Sequence, residues 1–166
     1  MELSFANHDQ PPATKREIQL LQTLREIKLP PPYRDFLLTT NGGVPSLTHV
    51  PAGGGHIVHF FYSLVAKQRW ADLAWSINTL DGRLPRDLIA FASDPCGNQF
   101  CIGVAGQRFG QVYIWDHEDE RDEDDEDRYG NLTLLAPSFD QFLALLEPLP
   151  PELAPVPPAA DDDDDV

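Results

Sequence analysis

Three short strand-like runs in the second half of the chain constrain the fold more than any other feature. They cover residues 88–92, 99–105 and 111–116 and are rich in apolar, β-branched and aromatic side chains, the composition typical of strands. The segments between them are short and carry Gly, Pro or Asn, as hairpin connections do. Because strands joined by short turns run in opposite directions, the sequence predicts an antiparallel meander.

The middle run has two unlike faces. Phe100, Ile102 and Val104 alternate with the smaller residues at 101, 103 and 105, so the bulky and the small side chains fall on opposite sides of the strand. We expect the bulky face to pack on helices and the small face to allow a close approach by another segment.

Helical signals surround these strands. Thr14 and Glu17 form a capping-box pattern before a helix over about residues 14–28. A second helix is expected over 33–40, a third around 70–77 and a fourth after the cap residue Ser138. The side chains expected to face the core from the first and third helices are Leu20, Leu21, Leu24, Ile27, Trp70, Leu73, Ala74, Trp75 and Ile77.

The element order predicts an α+β fold, in which an antiparallel sheet of about four to six strands packs with N-terminal, middle and C-terminal helices. Further strands are expected at 57–62 and 132–136, and a Pro- and Gly-rich loop at 44–55. The foldable domain is expected to span 14–147, after a flexible N-terminus at 1–13. Residues 148–166 are rich in proline and aspartate, which predicts a disordered tail.

The net charge of −15 is concentrated in two segments. Residues 116–128 contribute −8 and residues 161–165 contribute −5, which leaves only −2 for the rest of the chain. Blocks of like charge typically form solvated loops or tails that act as electrostatic interaction elements. A protein that binds nucleic acid directly would need the opposite sign.

Other broad classes find no support. There is no apolar run of membrane-spanning length and no basic, apolar leader at the amino end, so we expect a cytoplasmic protein that does not bind membranes. Cys96 and Cys101 lack the density of a disulfide framework and are expected to be reduced thiols.

No pattern predicts a catalytic, metal or cofactor site. His56 and His59 lie three residues apart, which places them on opposite faces of a strand. The acidic stretch from Asp125 fails as a calcium loop because Ala136 stands where a bidentate glutamate is needed. Nucleophile and phosphate-loop motifs do not occur. An enzyme is therefore the least favoured class.

The order of several motifs resembles the SUKH superfamily (SMI/KNR-type domains). The first block is Leu29-Pro30 with Tyr33, Phe36, Leu37 and Asn41-Gly42-Gly43. The later blocks are Ile89-Ala90-Phe91-Ala92 before Asp94, Gly97-Asn98, the strand 100–104, Gly110-Gln111-Val112-Tyr113 with Trp115-Asp116-His117-Glu118, and Ser138-Phe139 with Phe142-Leu143. Each block is common by itself, but this many in the same order over 14–147 are specific.

The resemblance implies an α+β domain that is not an enzyme. Members of the superfamily mostly serve as immunity proteins that neutralise toxin domains of bacterial toxin systems, many of them nucleases or nucleotide-modifying enzymes. One eukaryotic branch regulates cell-wall synthesis and signalling, and another binds the protein-export machinery. The acidic insert at 116–128 and the acidic tail depart from a plain member.

We therefore expect the cognate partner to be a toxin domain, and a basic one, because a polyanion would be steered to a cationic cleft. The expected contact residues are Tyr113, Trp115, Asp116, Glu118, Asp119, Glu120, Asp122, Glu123, Asp124, Asp125, Glu126 and Asp127. Trp115 fits two roles, packing at the sheet edge or an aromatic anchor for the partner. The alternative function is a regulatory adaptor of the cell-wall-regulator type, and the sequence leaves the oligomeric state open.

Overall fold

The computed structural model describes residues 2–156 of the chain. Its four helices are α1 (Lys15–Arg25), α2 (Pro31–Thr39), α3 (Leu73–Thr79) and α4 (Phe139–Leu145). Its strands are β1 (Phe5–Ala6), β2 (Val44–Pro45), β3 (His49–Val50), β4 (His56–Ile57), β5 (Phe60–Phe61), β6 (Leu88–Ser93), β7 (Gln99–Gly103), β8 (Val112–Trp115) and β9 (Leu132–Ala136). The fold is α+β, as the element order predicts.

The central sheet has five antiparallel strands in the order β5-β6-β7-β8-β9. The expected meander is therefore confirmed, and β9 has the bounds that the sequence predicts. Both β6 and β7 are buried along their whole length, because the sheet is covered on its two faces. The close approach expected on the small face of β7 occurs at Gly103, where a Cβ would overlap the carbonyl of Arg108.

Helix α1 begins at the predicted capping box. The Thr14 hydroxyl accepts from the Glu17 amide and the Glu17 carboxylate accepts from the Thr14 amide, which satisfies two free amides at the helix start. The helix buries Ile18 and Leu21. Leu20 and Leu24, expected in the core, are instead 58% and 71% exposed, because the side of the helix that carries Ile18 and Leu21 faces the domain.

A cluster of aromatic rings joins α2 and α4 to the sheet. Tyr33 of α2 and Phe139 of α4 lie 5.1 Å apart, and Phe142 of α4 contacts Phe91 and Phe100 at 5.4 and 5.6 Å between ring centroids. All five rings are at most 1% exposed. Tilted and edge-on contacts of this kind add to the hydrophobic stabilisation of burial.

The N-terminal segment is ordered in the structure, which corrects the expectation of a flexible N-terminus at 1–13. Strand β1 pairs with β2, and the Phe5 ring lies 5.1 Å from both Phe36 and Phe61. The side chains of Asn7 and Gln10 donate to the carbonyls of Thr40 and Val65. Tertiary contacts thus hold a segment whose local sequence carries no strong structural signal.

The loop expected at 44–55 contains the short strands β2 and β3, and the run expected as one strand at 57–62 is divided between β4 and β5. The expected helix around 70–77 begins only at Leu73, after a turn of 3-10 helix at Arg69–Ala71. That late start leaves Trp70 outside the helix and 57% exposed. Trp75 lies within α3, which buries Leu73 and Ser76 instead, and is 37% exposed. Both tryptophans were expected in the core, and both predictions are wrong.

Of the predicted tail at 148–166, residues 157–166 lie outside the described residues. Within 148–156 a single 3-10 turn, Pro151–Leu153, is held by local hydrogen bonds and is exposed. Among the described helices, none has the length and apolar character that a membrane crossing requires.

Candidate functional site

The Asn41-Gly42-Gly43 junction after α2 is a structural joint. Asn41 is fully buried, and its side chain bonds to the amide and the carbonyl of Leu64 at 2.8 and 3.0 Å and to the Pro11 carbonyl at 2.9 Å. Gly42 and Gly43 have φ angles of 85° and 114°. A Cβ on Gly42 would lie 2.6 Å from the Tyr62 carbonyl oxygen, so only glycine fits there. These residues join three segments of the chain and therefore have a structural role. The candidate functional site lies elsewhere.

The acid run, which we define as residues 116–128, lies in the connection between β8 and β9. Two hydrogen bonds of 3.0 Å join Asp116 to Asn131 at the start and end of this connection. The Asp116 amide donates to the Asn131 carbonyl, and the Asn131 side chain donates to the Asp116 carbonyl. A turn of 3-10 helix, His117–Asp119, starts the run, and Asp116 caps it through the Glu118 amide. The run is thus anchored to the edge of the central sheet.

Three arginines fix the shape of the acid run. Arg83 holds Glu120 through two hydrogen bonds of 2.9 and 3.1 Å. Arg121 binds Asp119 at 2.9 Å and Asp127 at 3.1 Å. Hydrogen bonding to Glu120 raises the pKa of Arg83, and hydrogen bonding to Asp119 raises that of Arg121. The guanidinium groups therefore stay charged.

Arg128 ties the end of the run to the rest of the domain, because it donates to the Gly82 carbonyl at 3.0 Å and to the Arg121 carbonyl. Next to it, Tyr129 donates to Asp87 at 3.0 Å and lies under the Arg108 guanidinium, 3.6 Å from the ring centroid. Burial, followed by that hydrogen bond, raises the pKa of Tyr129. Arg83 carries no signal in the sequence that would have assigned it to this site, whereas Arg121 and Arg128 lie within the run itself.

Besides Asp116 and Glu118, five contiguous acidic residues of the run form no ion pair within residues 2–156. Residues 122–126 are all exposed, and among residues 2–156 none of their carboxylates has a cation within salt-bridge distance. Only the Asp125 carboxylate accepts a backbone hydrogen bond, from the Asp127 amide. The run therefore presents five contiguous negative charges from a base that is held in place.

Trp115 and Tyr113 do not share this exposed surface. Trp115 is 1% exposed, and Arg83 lies over its ring at 5.6 Å, so its ring packs inside the domain and is not exposed as an aromatic anchor would be. The physical reason is that its ring lies beneath the Arg83 side chain that leads to Glu120. Tyr113 is half-buried and donates to Gln111 at 2.6 Å. Of the residues expected to contact a partner, the acidic ones are therefore the exposed ones.

Three histidines near the sheet each lie within hydrogen-bond distance of one oxygen atom. His49 lies 2.7 Å from a Glu147 carboxylate oxygen, His56 2.9 Å from the Gly53 carbonyl and His117 2.7 Å from the Asn98 side-chain oxygen. In the part of the chain that the structure describes, no three metal-ligating side chains come together. Cys101 is buried, which raises the pKa of its thiol, while Cys96 is exposed.

Comparison with known proteins gives one family. The model of the SMI1 / KNR4 family (SUKH-1) matches residues 12–145, which cover the whole sheet and all four helices. A relative is the SPbeta prophage-derived uncharacterized protein YokK of Bacillus subtilis, 31% identical over 83 residues. That match covers 50% of this chain and 38% of the relative.

Proposed function

The chain belongs to the SMI1/KNR4 (SUKH-1) family, and from this premise we propose that it is an immunity protein that binds and neutralises a toxin domain with a cationic surface. Domains of this family are generally non-catalytic and act in immunity or regulation. The observation that carries the proposal is the set of five free carboxylates at 122–126, which are exposed on an anchored loop.

The physical mechanism is competition by charge. An enzyme that acts on nucleic acid or nucleotides carries a cationic cleft, and a rigidly presented polyanion is attracted to that cleft over a long range. The arginine contacts reduce the conformational freedom that the loop would lose on binding, which favours affinity as well as rate. The relative YokK is described as prophage-derived, and mobile elements are a frequent source of toxin and immunity pairs.

The proposal also holds that the chain is not an enzyme. Three of its five histidines, His49, His56 and His117, bond to a carboxylate, a backbone carbonyl and an amide oxygen. Among the described residues none of the three forms a hydrogen bond with a serine, threonine or cysteine side chain, which nucleophilic catalysis through a histidine would require.

The test measures the association rate with the toxin domain encoded beside this gene, at several salt concentrations. In the loop variant, residues 122–126 are changed to Asn and Gln of the same shape. In the matched control, the five aspartates at 161–165 are changed to Asn, so both variants move the net charge from −15 to −10. The arginine partners Asp119, Glu120 and Asp127 stay in place in both.

We expect the loop variant to associate at least about ten-fold more slowly at 0.01 M salt and to be nearly insensitive to salt. The control should behave like the unchanged protein, whose rate falls as the Debye length shortens from about 30 Å at 0.01 M to about 10 Å at 0.1 M. Equal salt slopes in all three proteins would contradict the charge mechanism. Failure of the unchanged protein to protect cells from the toxin would favour a regulatory adaptor instead.

A further inference from the structure

A groove opens on the side of the domain where β1, β2 and β5 meet the turn before α3. We call it the Trp70 groove. It has a volume of about 390 Å³, and its lining includes Ala6, Val44, Phe60, Phe61, Lys67 and Trp70. An adjoining hollow, lined by Val65, Arg69 and Asp72, shares Ala66 and Lys67 with the groove.

Large apolar side chains are exposed along these two depressions. Trp70 is 57% exposed, Val65 59% and Val44 42%. Trp70 stands edge-on to Phe60 with 5.2 Å between ring centroids, so its ring is supported from one side and open on the other. Single exposed apolar residues are common on protein surfaces, but a group of them around a groove marks an interaction site.

The turn that presents Val65 is held in a strained conformation. Val65 has a φ of 60°, a region that β-branched residues rarely occupy. Asn41 binds the amide and the carbonyl of Leu64, Asp72 accepts from the Ala66 amide at 2.9 Å, and Gln10 donates to the Val65 carbonyl at 3.0 Å. These four hydrogen bonds hold the backbone of the turn in the unfavourable φ region and so keep the Val65 side chain exposed to solvent. Strain that is maintained in this way is typical of binding sites.

Two exposed cations, Lys67 and Arg69, lie beside the groove. Neither forms an ion pair within residues 2–156. The Asp72 carboxylate is occupied by the amides of Ala66 and Trp75, and Asp9 is the remaining carboxylate in the segment next to the groove. Two free cations beside an apolar groove complement an acidic ligand.

We propose that the Trp70 groove docks an acidic segment of a second protein. An apolar side chain of that segment packs against Trp70 and Phe60, and its flanking carboxylates bind Lys67 and Arg69. This surface is separate from the acid run, which selects a cationic partner. A second copy of this chain is the other occupant to distinguish, and the test below separates it from a partner protein.

The test uses random peptides of about twelve residues, displayed on phage and selected on the full-length protein at physiological salt. We expect the enriched peptides to carry Asp or Glu around an aromatic or branched apolar residue. The Kd of a synthetic copy is then measured by fluorescence polarisation against the unchanged protein and the variants described below. The assay uses no toxin, so its outcome is independent of the proposed immunity function.

The variants separate the apolar from the charged contribution. Trp70→Ala and the double variant Lys67→Glu/Arg69→Glu should each weaken binding at least about ten-fold. Trp75→Ala removes a tryptophan outside the groove, and Arg16→Glu/Lys28→Glu makes the same charge change on another face. Both controls should stay within about two-fold of the unchanged protein.

A further variant links binding to the strain. Val65→Gly removes the exposed side chain and relieves the positive φ, so it should raise the Tm while it weakens binding. Several outcomes would overturn the proposal: no enrichment, enrichment of basic peptides, or equal losses in variants and controls. Tighter peptide binding after truncation at Leu149 would identify this chain's own carboxyl segment as the occupant. Self-association that Trp70→Ala abolishes would identify a second copy.

Discussion

At the scale of single residues, the stability of the described part of the chain depends on two conditions. Buried polar groups need hydrogen-bond partners, and each Cβ atom needs room. Asn41 is buried yet satisfied, because its side chain bonds to Pro11 and Leu64. The Tyr33 hydroxyl is buried with no hydrogen-bond partner among the described residues. Buried polar groups stabilise a fold only when they are paired, so these two positions should respond differently to substitution.

The glycine joint gives the first residue-scale prediction. Gly42→Val should destabilise the protein by at least about 1 kcal/mol more than Gly54→Val. Both glycines have positive φ, but a Cβ on Gly42 meets the Ser63 and Tyr62 atoms, whereas a Cβ on Gly54 has no atom within 4 Å. Urea unfolding of both variants measures the difference. Equal losses would show that the φ angle alone requires glycine at this joint.

Tyr33 gives a prediction on pH. Burial raises the pKa of Tyr33, so above about pH 10 the unfolded chain releases this proton and the folded chain keeps it. The contribution of Tyr33 to the free energy of unfolding is therefore complete below pH 10 and declines as pH rises above it. Tyr33→Phe should gain about 1.4 kcal/mol relative to the unchanged protein between pH 8 and pH 11. Parallel stability curves in urea at these two pH values would contradict this prediction.

At the scale of elements, short strands and loops depend on partners that are distant in sequence. Strand β1 is held by β2 and by the Phe36 and Phe61 rings. The acid run is held by Arg83 of the segment after α3. Replacing the whole stretch 119–127 with a flexible linker would remove the partner of Arg83 and also Arg121 with its ion pairs. The substitution of 122–126 alone is therefore the better probe of recognition.

The N-terminal strand gives a prediction at this scale. Phe5→Ala should lower the free energy of unfolding by about 2 kcal/mol, because the half-buried ring contacts two rings of the core. The control is Leu153→Ala, which removes an apolar side chain that is 49% exposed, and its effect should stay within about 0.5 kcal/mol. Denaturant unfolding measures both. A Phe5→Ala variant as stable as the control would show that β1 adds nothing to the domain.

At the scale of the whole molecule, the two proposed binding surfaces lie at different edges of the central sheet. The acid run carries the negative charge at the β8–β9 end of the central sheet, and Lys67 and Arg69 lie beside the Trp70 groove near β5. Since β5 and β9 are the opposite edges of that sheet, the proposed partners would contact different sides of the protein.

The carboxyl end gives the prediction for the whole molecule. Truncation after Leu149 should change the Tm by less than about 5 °C. Within 150–156 the backbone hydrogen bonds are local, and the side chains are largely exposed. Differential scanning calorimetry of the truncated and complete chains measures the change. A larger fall in Tm would mean that the carboxyl segment contacts the domain.

The sequence by itself determined the features that depend on neighbours along the chain. The meander, the capping box at Thr14, the N-cap at Ser138 and the bounds of β9 follow from periodicity, caps and turns within a few residues. The negative charge of the acid run is likewise a local property. The order of several short motifs was also enough to indicate the family.

Only the tertiary structure decided which apolar faces are covered and which charges are paired. The pattern that predicts a buried stripe on α1 does not reveal that Leu20 and Leu24 face outward, nor does the spacing around α3 show that Trp70 is exposed. Arg83 meets Glu120 across 37 residues and Asn41 meets Leu64 across 23. Such contacts depend on how the elements pack. An amphipathic pattern indicates that one face of an element can be buried, but it does not identify the segment that covers that face.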